Sequence, residues 1–134
     1  MRVATIDIGT NSVLLLVADT AEQGGLVATT ERCEITRLGE GVDKAKTLRP
    51  EAIERTLTCL RDYASTLASL RVDALDVVGT SAMRDAGRGA GDRASDFIRR
   101  ATEILGVAPR VISGEEEASL TFAGGCLALG SAAR

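Results

Sequence analysis

The stretch Asp7-Ile8-Gly9-Thr10-Asn11-Ser12 decides how this chain is read. It lies between two apolar runs, residues 3–6 and 13–18, and its only turn-forming residues are Gly9, Thr10, Asn11 and Ser12. The flanks predict two antiparallel strands with these six residues at the tip of a β-hairpin. Gly9 admits a positive φ, and Thr10, Asn11 and Ser12 bring hydroxyl, amide and backbone N–H donors to one place. A tight turn that aims successive N–H groups into one concavity suits a phosphate. Asp7 ends an apolar strand, where an ionised carboxylate is costly unless it is paired or holds a metal. The same residues also suit an ordinary polar turn, because Gly, Asn and Ser are common there. The hairpin alone leaves both readings open.

Working outward, 134 residues predict one domain that buries roughly two-thirds of its unfolded surface. Aromatic residues make up only 2% of the chain, so the core must be built from Leu, Val, Ile and Ala, and stacking platforms for single-stranded nucleic acid are lacking. With a net charge of −3 and no long basic run, a nucleic-acid surface is not expected. The chain has no histidine, which excludes Ser-His-Asp and Cys-His catalysis, the HExxH zinc motif and a histidine general base from within it. Cys33, Cys59 and Cys126 are widely spaced and odd in number, and read as reduced thiols. No long apolar run follows the N-terminus, so neither a signal peptide nor a membrane span is expected, and the expected location is the cytoplasm.

After the hairpin, residues 21–25 predict a second turn and residues 26–38 a third strand, closed by Gly39-Glu40-Gly41. From Pro50 the period changes: Ile53, Leu57, Leu60, Ala64 and Leu67 step by four and three, the pattern of an amphipathic helix. Pro50 suits its first position, while Arg49 is a poor N-cap, leaving Thr47 or water to satisfy the first N–H groups. Residues 75–79 predict a short buried strand, residues 80–93 a loop, and Phe97, Ile98, Ala101, Ile104 and Leu105 a second helix stopped by Gly106. Residues 110–112 predict a last strand, followed by a third helix from after Ser113 to about Leu129. Three antiparallel strands followed by strand–helix–strand crossovers predict an α/β fold with a mixed five-stranded sheet flanked by helices.

Ser113-Gly114-Glu115-Glu116-Glu117-Ala118 is the second informative segment. Ser113 and Glu116 have the spacing of a capping box, and Glu115 lies where the helix dipole favours negative charge. Glu117 lies just past the cap. A carboxylate at a strand-to-helix junction near a phosphate-binding turn also suits a general base that deprotonates water for in-line attack on phosphorus.

Four segments together resemble the exopolyphosphatase and guanosine pentaphosphate phosphohydrolase family. They are Asp7-Ile8-Gly9-Thr10-Asn11-Ser12, Leu38-Gly39-Glu40-Gly41-Val42, Gly79-Thr80-Ser81-Ala82-Met83-Arg84-Asp85-Ala86 and Ile112-Ser113-Gly114-Glu115-Glu116-Glu117-Ala118. The resemblance implies a ribonuclease H-like domain of the actin-like ATPase superfamily, which also holds sugar kinases and acetate kinase. It further implies that Asp7 holds a divalent cation such as magnesium, that Gly9, Thr10, Asn11 and Ser12 form the first phosphate loop, and that Arg84 contacts the phosphate chain. Glu117 then resembles the catalytic base and Glu116 its capping neighbour. The implied substrates are inorganic polyphosphate or guanosine pentaphosphate.

The family's second phosphate loop, of the Asp-Ile-Gly-Gly-Gly-Ser type, does not follow Leu129. The 134 residues therefore resemble the N-terminal lobe of a two-lobed enzyme, with the second lobe as a missing partner. A non-catalytic phosphate-binding lobe and an actin-like or sugar-kinase-like ATPase lobe are the competing readings. Leu120, Phe122, Leu127 and Leu129 lie on more than one side of the third helix, so self-association as a homodimer, or disorder from about Gly130, is expected.

Overall fold

A computed structural model of the chain describes residues 1–45, 47–86 and 93–120. Strands β1 (Arg2–Ile8), β2 (Ser12–Thr20) and β3 (Leu26–Ile35) form an antiparallel meander, followed by a one-turn helix α1 (Val42–Ala45) and the long helix α2 (Pro50–Leu70). Then come β4 (Ala74–Gly79), α3 (Ser81–Ala86), α4 (Arg93–Leu105) and β5 (Arg110–Val111). Residues 114–120 are helical and are labelled α5. The strands form one mixed sheet in the order β3-β2-β1-β4-β5, with β1 antiparallel to β2 and parallel to β4, and β4 parallel to β5.

Strand alternation sorts the sheet into two faces. On one face lie Ala4, Ile6 and Ile8, opposite Val17, Leu15 and Val13 of β2, with Val77 of β4 beside Ile6. All seven are buried, and they pack with Ile53, Leu57, Leu60 and Tyr63 of α2 and Phe97 and Ala101 of α4. The Tyr63 hydroxyl donates to the Val13 carbonyl at 2.8 Å, so the one aromatic polar atom in this core is satisfied. The other face carries Thr5, Asp7, Leu14, Leu16 and Val78. Burial pushes the Cys59 thiol up to about 12, which keeps it protonated and inert near neutrality. Among the described residues no helix is long and apolar enough to cross a membrane.

Several local expectations change. The third strand ends at Ile35 rather than at 38, because Thr36 and Arg37 turn their N–H groups onto the Asn11 carbonyl. Residues 80–93 are not loop throughout: α3 occupies Ser81–Ala86, with the Arg84 N–H bonded to the Thr80 carbonyl at 3.1 Å. Ala, Met and Arg favour a helix, but six residues are too few to display a 3.6-residue period. The one-turn α1 went unforeseen for the same reason. The strand at 75–79 is buried mainly at Val77, which joins the core cluster, and at Gly79, which lies against Met83 of α3. Arg49 is the N-cap of α2 and makes no side-chain capping bond. The expected continuation of the third helix to about Leu129, with Phe122 and Leu127, and the expected disorder from about Gly130 lie outside the described residues.

Candidate active site

The same alternation that buries Ile6 and Ile8 sends Asp7 to the opposite face, level with Leu14 on β2 and Val78 on β4. Asp7 stands near the carboxyl end of β1, and β4 and β5 end beside it. The Thr80 N–H donates to the Ile8 carbonyl at 3.2 Å and the Ile112 N–H to the Gly79 carbonyl at 3.0 Å. Ligands of open α/β sheets collect at such carboxyl ends.

The hairpin tip is tight: the Gly9 N–H donates to the Ser12 carbonyl at 2.9 Å. Gly9 does not take the positive φ expected of it, and neither do Thr10 and Asn11. Its need for glycine is steric, because a Cβ there would meet the Ser12 carbonyl oxygen at 3.0 Å. The loop's carbonyls are engaged from one side. Thr10 accepts from the Gly39 N–H at 2.9 Å, and Asn11 accepts from the Thr36 and Arg37 N–H groups at 3.0 Å each. A trans peptide places the next N–H opposite its carbonyl, so the Asn11 and Ser12 N–H groups face away from the 36–39 turn. N–H groups held in that orientation suit an anion.

Arg84, in the last turn of α3, is pinned by a 2.7 Å bond from Nη1 to the Ile112 carbonyl. From there both Nη1 and Nη2 donate to Glu117 Oε2 at 3.2 Å. Glu117 in turn sits close enough to Asp7 for its charge to act there. Burial first, and the Glu117 charge second, push the Asp7 carboxyl above its ordinary value. The structure therefore brings together Asp7, Arg84 and Glu117, three residues separated in sequence, beside the tip of the first hairpin.

Asp7 Oδ1 is buried and has no hydrogen-bond partner among the described residues. An orphaned carboxylate oxygen facing a second carboxylate is the local chemistry that a hard cation relieves. The described residues hold no group of three or more His, Cys, Asp or Glu side chains close enough to cage a metal. The orphaned Asp7 Oδ1 offers one oxygen ligand, and magnesium is commonly bound through one or two carboxylates with water and phosphate oxygens completing its shell.

The capping box is half present. The Glu116 N–H donates to Ser113 Oγ at 3.0 Å, while the Glu116 carboxylate lies toward Arg110 Nη1 at 3.5 Å rather than returning to Ser113. A groove of about 740 Å³ between the end of β3 and the first turns of α2 includes none of Asp7, Arg84 and Glu117. The converging charges and aligned donors, rather than this open groove, mark the site. Gly39-Glu40-Gly41 was read as a turn, but Arg55, which bonds to residues 36, 37 and 40, was missed in the sequence. Arg55 falls on the polar side of the α2 pattern, where an exposed arginine carries no signal.

Residues 16–134 match the model of the Ppx/GppA phosphatase family. Exopolyphosphatase 2 of Mycobacterium tuberculosis is 41% identical over 139 aligned residues, covering 98% of this chain and 42% of that protein. The crystal structure of an Aquifex aeolicus Ppx/GppA family member matches with a TM-score of 0.78 and 35% identity, over 87% of this chain and 36% of that one. An exopolyphosphatase from Cytophaga hutchinsonii matches with a TM-score of 0.79 and 28% identity, over 90% of this chain and 36% of that one. The chain thus spans about two-fifths of the length of the curated relatives it matches. With the mixed sheet and its flanking helices in the ribonuclease H-like, actin-like ATPase arrangement, this chain belongs to the Ppx/GppA phosphatase family.

Proposed function

We propose that residues 1–134 form the N-terminal lobe of a two-lobed phosphoanhydride hydrolase that removes terminal phosphate from inorganic polyphosphate. The observation that carries this reading is the meeting of Asp7, Arg84 and Glu117 beside the N–H groups of Asn11 and Ser12. Polyphosphate is favoured over guanosine pentaphosphate because the relatives from Mycobacterium tuberculosis and Cytophaga hutchinsonii carry the name exopolyphosphatase.

In this reading Gly9, Thr10, Asn11 and Ser12 cradle the terminal phosphate, with the Asn11 and Ser12 N–H groups donating to its oxygens. Arg84 donates to a further phosphate oxygen, a task suited to the guanidinium fork. Glu117 accepts a proton from water as the water oxygen bonds to phosphorus and the anhydride P–O bond breaks, leaving a shortened chain and inorganic phosphate. Asp7 would hold a magnesium ion, which supplies charge neutralisation to the phosphate oxygens when bound. Residues 1–134 alone bind phosphate weakly without turnover, because the second lobe completes the enclosure. The same residues in isolation self-associate, with Leu14, Val111 and Leu120 each more than two-fifths exposed. A strict monomer by light scattering refutes that last point.

Incubating the full-length protein with polyphosphate and magnesium, and measuring released phosphate, tests the function. Steady release supports it. No release from either polyphosphate or guanosine pentaphosphate refutes it.

A further inference from the structure

The N–H groups of Asn11 and Ser12 are aimed only as well as their peptide planes are held. The Thr10 carbonyl, held by the Gly39 N–H, fixes the Asn11 N–H, and the Asn11 carbonyl, held by Thr36 and Arg37, fixes that of Ser12. The turn that does this holding is itself under strain. Arg37 sits at a φ of 52°, a conformation that L side chains rarely enter, and Thr36 Oγ1 is buried without a partner among the described residues. Something outside the turn must hold it.

Arg55, on the second turn of α2, meets that need. Its Nε donates to the Thr36 carbonyl at 2.9 Å, and its Nη2 donates to the Arg37 carbonyl at 3.4 Å and to Glu40 Oε2 at 2.8 Å. All three bonds end on the turn, two of them on the backbone of the residues whose N–H groups grip Asn11. We propose that Arg55 is a positioning residue for phosphate binding: it braces the 36–40 turn from α2, and the turn orients the Asn11 and Ser12 N–H groups. The inference rests on the reading of residues 9–12 as a phosphate loop and adds a residue to it. Arg84 and Glu117 stand on α3 and α5, outside this chain of contacts, so the effect separates from the chemical step.

The test is steady-state hydrolysis of polyphosphate by the full-length protein, with calorimetric binding of tripolyphosphate, for wild type, Arg55→Ala, Arg55→Lys and Glu40→Gln. Arg55→Ala is expected to raise KM and the tripolyphosphate Kd about tenfold while kcat stays within about threefold. Arg55→Lys keeps charge and bulk but cannot fork across both carbonyls, so an intermediate rise is expected; it carries the test if Arg55→Ala fails to fold. Glu40→Gln leaves both carbonyl bonds in place and is expected to hold KM within about twofold. A wild type that binds tripolyphosphate alongside Arg55 variants with unchanged KM and Kd overturns this inference alone. So does a Glu40→Gln loss equal to that of Arg55→Ala, because the ion pair would then be what matters. A wild type that binds no phosphate chain overturns the proposed function and this inference with it.

Discussion

Substituting Gly39 by alanine probes the contact that aims the hairpin. A methyl group at Gly39 would lie 2.4 Å from Thr10 Cγ2, 3.3 Å from Thr10 Cβ and 3.2 Å from Ala82 Cβ. Carbon atoms rest roughly 3.5–4.0 Å apart, so the first contact is too short by about 1 Å. Thr10 is β-branched and cannot swing that methyl aside without displacing its hydroxyl. Overpacking of this kind costs about 1–3 kcal/mol. Gly39 does not sit at positive φ, so alanine also removes unfolded-chain entropy, which returns about 0.4–1 kcal/mol. The expected net loss is on the order of 0.5–2 kcal/mol, with weaker phosphate binding as the Gly39–Thr10 hydrogen bond stretches. Thr10→Ser deletes Cγ2 and keeps the hydroxyl. In the double variant the nearest remaining contacts are those at 3.2 and 3.3 Å, which small shifts absorb. Urea unfolding of the four proteins of this cycle should therefore give a favourable coupling of about 0.5–2 kcal/mol, with the KM for polyphosphate recovering in parallel. Strict additivity, with the Gly39→Ala loss unchanged by Thr10→Ser, would refute the packing argument.

Asp7→Asn should stabilise the metal-free protein at pH 7. Burial, then the Glu117 charge, raise Asp7 above its unfolded value of about 3.9, so its ionisation costs stability in the folded state. That cost is absent below the unfolded value, grows as pH climbs through the raised folded value, and is complete above it. The advantage of Asn in the thermal midpoint should fade toward pH 4, and magnesium should raise the midpoint of wild type but not of the variant. Equal midpoints at pH 7, or a magnesium shift in both proteins, would contradict this. At the start of α5, Ser113→Ala should cost about 1 kcal/mol, because Ser113 Oγ accepts the Glu116 N–H. Glu116→Ala should cost less than about 0.5 kcal/mol, since it removes only an exposed contact with Arg110. The reverse order in urea unfolding would restore the reciprocal capping box.

The strands and the two long helices were legible because their patterns run over many residues. The alternation around Ile6 and Leu15 and the four-three stepping from Ile53 to Leu67 each bury one continuous face. Asp7, Arg84 and Glu117 were legible as candidates through motif resemblance, and the sheet brings them together by ending β1, β4 and β5 at one edge. What stayed hidden was short or tertiary. The six-residue α3 is too brief for a period, and Gly9 is glycine for a close approach rather than for its φ. Arg55 exerts its effect through carbonyls 18 and 19 residues away, which no local pattern announces.

In the proposed function Glu117 removes the proton from the attacking water while its neighbours hold phosphate and cation. Glu117→Gln keeps size and helix position but cannot take that proton. The measurement is phosphate release from polyphosphate by the full-length protein and by its Glu117→Gln and Glu116→Gln variants. A fall of about a hundredfold or more in kcat for Glu117→Gln is expected, with KM largely kept and Glu116→Gln within a few-fold of wild type. Normal turnover by Glu117→Gln, or equal losses at the two positions, would contradict the role proposed for Glu117.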